Sequence, residues 1–129
     1  MADILSPMIF PVDIMLKGRE KAIVESIEVA HGEPATWGEE AVRDVLVAVL
    51  RAIAETENPE MAREKQVVLH GFSWIVEPTS EGQVVIGIEI PMGAAVAGPF
   101  TMGQQELDAL IGRVLRAERQ NMVAVSTIH

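Results

Sequence analysis

The sequence predicts an α+β domain in which a ββα unit is used twice, giving a four-stranded antiparallel sheet with two helices packed on one face. Three observations lead there. Two segments carry helix-period apolar stripes, four segments alternate as strands do, and the order hairpin-then-helix recurs with shared residues.

The first unit opens with residues 12–17 (VDIMLK), which alternate in strand fashion, as do residues 23–29 (IVESIEV). Gly18, Arg19 and Glu20 between them have turn composition, so the pair reads as a β-hairpin. A helix follows from Thr36, because Val42, Val45, Leu46, Val49, Leu50 and Ile53 recur at the spacing of one helix face. Thr36 and Glu39 have the spacing of a capping box, and Asn58-Pro59 ends the helix.

The second unit repeats the plan. Residues 72–77 (FSWIVE) and 84–90 (VVIGIEI) alternate on either side of the turn 78–82 (PTSEG). A helix from Thr101 then places Leu107, Leu110, Ile111, Val114 and Leu115 on one face, with Thr101 and Gln104 as its capping pair. Residues 23–52 laid over 84–117, with one four-residue gap, share about eleven of roughly thirty positions, including Thr36/Thr101, Gly38/Gly103 and Arg51/Arg116. Amphipathicity alone explains neither the shared glycine nor the shared arginine.

One domain over 1–129 follows, with repeat units at about 8–58 and 67–120. Six aliphatic side chains on one helix are worth an upper bound of roughly 9–18 kcal/mol when buried, so the two halves must share a core. Residues 121–129 are left as a fifth edge strand, a strand lent to a partner, or a tail.

Strand alternation sends Asp13, Met15, Lys17, Val24, Ser26, Glu28, Ser73, Ile75, Glu77, Val85, Gly87 and Glu89 to the face away from the helices. Met15, Val24, Ile75 and Val85 form its apolar centre. An apolar centre ringed by acids reads either as a solvent-exposed sheet face with scattered hydrophobes or as an association surface, with a second copy as the first candidate partner and another protein as the next.

A net charge of -9, from 10 basic and 19 acidic residues, opposes binding to nucleic acid or to an anionic membrane. The chain has no Cys, which excludes disulfides, a thiolate nucleophile and Cys-ligated zinc, and suits a reducing cytoplasm. Neither a signal peptide nor an apolar run long enough to span a bilayer is visible.

Chemistry is sparse. Glu28 and Glu89 hold equivalent positions and would form an acid/base pair only if they converged; acids alternating in a strand are otherwise its solvated face. His31, His70 and His129 lack metal-site spacing, although His31 and His70 near strand ends could meet beside Glu33 or Glu28. No Ser lies in a nucleophile elbow.

Residues 91–100 (PMGAAVAGPF) hold the four-residue insertion and read as a loop leading into a helix. Gly93 and Gly98 have the spacing of a phosphate-binding loop, but Pro99 and Phe100 stand where Lys and Ser/Thr are required. A ligand site, if the chain has one, therefore falls at Gly93, Gly98 and Thr101, with Trp37 for stacking and His31 as a polar group. No cofactor, metal or catalytic residue is assigned. A non-enzymatic homodimeric binding or assembly domain is the favoured reading; a small-molecule or anion binder, or a minor enzyme, with its site at 91–101 is the alternative.

Overall fold

The computed structural model of the chain describes residues 7–62, 67, 69 and 71–127. In order it runs β1 (Met8–Leu16), β2 (Ile23–Val29), α1 (Glu39–Glu57), α2 (Pro59–Ala62), β3 (Ser73–Pro78), β4 (Val84–Ile90), β5 (Gly93–Phe100) and α3 (Gln104–Thr127). The strands form one antiparallel sheet in the order β2-β1-β5-β4-β3. Helix α1 packs over β1, β2 and β5, and α3 packs over β3 and along α1.

The α+β class and the two hairpins hold, but the sheet has five strands where four were expected. The fifth is β5, the segment expected to be a loop, and it takes the central slot. Gly, Ala and Pro have little strand propensity of their own, so here tertiary context decides: both edges of β5 are paired, one with β1 and one with β4. Its small residues also have a packing role. The inner rows read Val12–Ala97–Ile86 and Ile14–Ala95–Ile88, large-small-large, which leaves a furrow for helix side chains.

Gly93 is required by close approach, since a Cβ there would lie 2.5 Å from the Met15 carbonyl oxygen on β1. At the other end Gly98 has φ +123° at a β-bulge, where Gly98 and Pro99 lie between the pairs Ala97–Ile86 and Phe100–Val84 and face the single residue Val85.

The expected repeat does not match the topology. It equates residues 23–29 with 84–90, yet β2 is an edge strand and β4 lies inside the sheet. The order hairpin-then-helix does occur twice in space, as β1–β2–α1 and β4–β5–α3. Glu39 pairs with Arg113 at 3.2 Å and Arg43 with Glu118 at 2.7 Å, so the two helices lie side by side in the same direction. In that arrangement the counterpart of β2 is β5.

Two further expectations are corrected. Residues 122–127 continue α3 and do not form an edge strand, because extending an existing helix needs no new nucleus; Ile128 and His129 lie outside the described residues. The capping boxes are not formed either. Helix α1 starts at Glu39 behind Gly38, with Glu39 and Glu40 in its first turn, and Thr36 donates its hydroxyl to the Glu33 carbonyl at 2.7 Å. Gln104 donates to the Val76 carbonyl at 3.0 Å, tying the start of α3 to β3.

Phe10, Val12, Ile14, Leu16, Val76, Val84, Ile86 and Ile88 line the inner face beneath buried residues of α1 and α3. Phe100 is central to the aromatic packing: Phe10 meets it edge-on at 4.9 Å and Trp37 at 5.2 Å. Among the described residues no polar or charged side chain is buried, and no helix is long and apolar enough to cross a membrane.

Candidate functional site

The same alternation that fills the core leaves the opposite face of the sheet without cover. Its central row crosses all five strands as Val24, Asp13, Val96, Gly87 and Ile75. The next row carries Met15, Ala94, Glu89 and Ser73. Ile9 is 62% exposed, Met15 43%, Val24 64%, Ile75 55% and Val96 45%. These are the large exposed hydrophobics among the described residues, and all lie on this one face.

Of the four residues expected at the apolar centre, Met15, Val24 and Ile75 are exposed there, whereas Val85 is half-buried opposite the bulge. Two were not anticipated. Val96 falls in the segment expected to be a loop, where the run Ala94-Ala95-Val96-Ala97 has no apolar–polar alternation to mark a strand. Ile9 precedes residues 12–17, the segment that alternates as a strand, and is separated from them by Pro11. The ladder to β5 begins at Val12, so Pro11 lies on a stretch of β1 that is paired only with β2.

Gly87 and Ala94 are small, and the face dips around them into an open depression of about 300 Å³ bordered by Ser73, Ile75 and Glu89. A Cβ on Gly87 would meet the Ile75 side chain at 3.2 Å. Acids flank these hydrophobics, Asp13 within the central row and Glu28, Glu77 and Glu89 around it, with Lys17 as their counter-charge at the β1–β2 turn.

The residues expected to hold a ligand are not brought together. His31 and Trp37 border one cavity of about 320 Å³ with Thr36 and Glu40. There the His31 Nε2 donates to Asp44 at 2.7 Å, and the buried Trp37 donates its indole N–H to the Gly32 carbonyl at 2.9 Å. Gly93 lies at the opposite end of β5 from Gly98 and Thr101, beside Met15, Lys17 and Glu89. Thr101 accepts a hydrogen bond from Gln83 at 3.3 Å. Residues 93–97 commit their backbone to a ladder on either side, and Gly98 is followed by Pro99, which has no N–H to offer a phosphate.

Glu28 and Glu89 lie on β2 and β4, three strand spacings or about 14 Å apart across the sheet and six residues or about 20 Å apart along it, and do not converge. His70 and His129 lie outside the described residues. Among the described residues no three His, Asp or Glu side chains gather as a metal site would require.

Comparison with known proteins finds no match to a protein-family model, to a curated protein or to a solved structure.

Proposed function

We propose that this chain is a non-enzymatic binding and assembly domain whose working surface is the outer face of the sheet, and that it joins two copies through that face. The observation that carries this reading is the placement of β5. The two surfaces that sequence reasoning kept apart, the apolar sheet centre and the Gly/Ala segment, are one surface, with Val96 at its middle. Five large hydrophobics left in water on one face are costly for a monomer and useful for association.

Light scattering and native mass spectrometry on the wild type and on Val96→Glu test it. The wild type is expected at twice the 14.0 kDa of one chain, and the variant at that mass once. One observation favours a second reading, a small-ligand site: the depression of about 300 Å³ beside Gly87 and Ala94. A monomeric wild type carrying a tightly held small molecule would select it.

A further inference from the structure

Building on the sheet-face reading, we propose that the second copy docks about a two-fold axis running along β5, so that Val96 meets Val96 and Lys17 of each chain reaches Glu89 of the other. Two identical faces can close on each other only about a two-fold axis lying in the plane between them. Since β5 has two strands on either side, the axis passes close to Val96. Its direction is then decided by charge.

An axis across the strands, along the central row, sets Asp13 of one chain on Asp13 of the other. Like charges placed directly opposite in an excluded interface oppose association. An axis along β5 instead exchanges β1 with β4 and β2 with β3. Asp13 then lies over Gly87, Val24 over Ile75, Met15 over Glu89 and Ser26 over Glu77, by the registers that place each pair in corresponding rows. No acid faces an acid, and Asp13 meets the one position in its row that has no side chain. The depression around Gly87 gives that carboxylate room to keep water.

Lys17, in the turn just past the end of β1, stands two residues beyond Met15, roughly 6.6 Å further along the strand direction. With the other copy's Glu89 seated over Met15, the Lys17 ammonium lies within reach of it. Within one chain neither Lys17 nor Glu89 has an ion-pair partner among the described residues. The area also suffices. Five strands at ~4.8 Å and about seven residues at ~3.3 Å present ~550 Å² per chain in flat projection, about 1,100 Å² for both, just above the roughly 1,000 Å² that a specific interface needs.

Charge reversal in two separate chains tests the axis. Lys17→Glu and Glu89→Lys each place two like-charged pairs in their own homodimer and should weaken it on the order of tenfold. Mixed in equal amounts, they restore both pairs. With one chain ¹⁵N-labelled, native mass spectrometry should then show the mixed dimer in excess of either homodimer, at wild-type affinity. A dimeric wild type whose variants pair without preference overturns the axis along β5 and leaves the sheet-face reading standing. A monomeric wild type overturns both.

Discussion

Replacing Val96 by Glu puts a charge at the middle of the outer face, and its effect on assembly can be worked from the structure. Val96 is 45% exposed in the single chain, so covering it in a dimer contributes about 1 kcal/mol per copy. An unpaired carboxylate enclosed at the same place costs about 3–5 kcal/mol. Both changes occur twice in a symmetric dimer, giving a loss of at least about 8 kcal/mol, equivalent to the whole affinity of a micromolar complex. The fold should be spared, since strand propensity at a solvent-facing position changes stability by no more than about 1 kcal/mol. Sedimentation velocity over a range of concentrations reports the assembly, and a circular-dichroism melt reports the fold. A variant that keeps the wild-type mass shows that Val96 is not enclosed and that the chains meet elsewhere.

Gly93→Ala should lower the urea midpoint by an amount equivalent to about 1–3 kcal/mol, because its Cβ would stand 2.5 Å from the backbone oxygen of Met15, which cannot turn aside. An unchanged midpoint would mean that β1 and β5 do not approach closely at that point. Phe100→Ala, at a fully buried residue touching both Phe10 and Trp37, should cost about 3–5 kcal/mol of chain stability in the same assay. A loss below about 1 kcal/mol would show that the aromatic packing does not hold the sheet to the segment leading into α1.

The parts of the fold that could be read from residues are those whose pattern is strong and local. The stripe of α1 from Val42 to Ile53 and the alternation of Val12, Ile14 and Leu16 each specify a face without reference to the rest of the chain. Met15, Val24 and Ile75 followed from the same alternation and are exposed as expected. The segment 93–100 was illegible for a physical reason. Its Gly and Ala residues carry no propensity signal, and it is a strand because β1 and β4 leave a slot between them that small residues fit. The alignment that suggested a simple repeat lays the stretch between β2 and α1, a loop and a 3₁₀ turn, over a stretch that holds the central strand β5. The site inherited both outcomes, since its edges were visible in alternating strands while its centre, Val96, lay in the part that only packing determines.

Whether the outer face is covered in solution can be read at its methyl groups. Methyl NMR of the wild type with a soluble paramagnetic agent should find Met15, Val24, Ile75 and Val96 shielded, although the single chain exposes them by 43%, 64%, 55% and 45%. In the Val96→Glu variant the methyls of Met15, Val24 and Ile75 should broaden as open surface does. Equal broadening of those methyls in wild type and variant would show that the face stays in water and that no partner covers it.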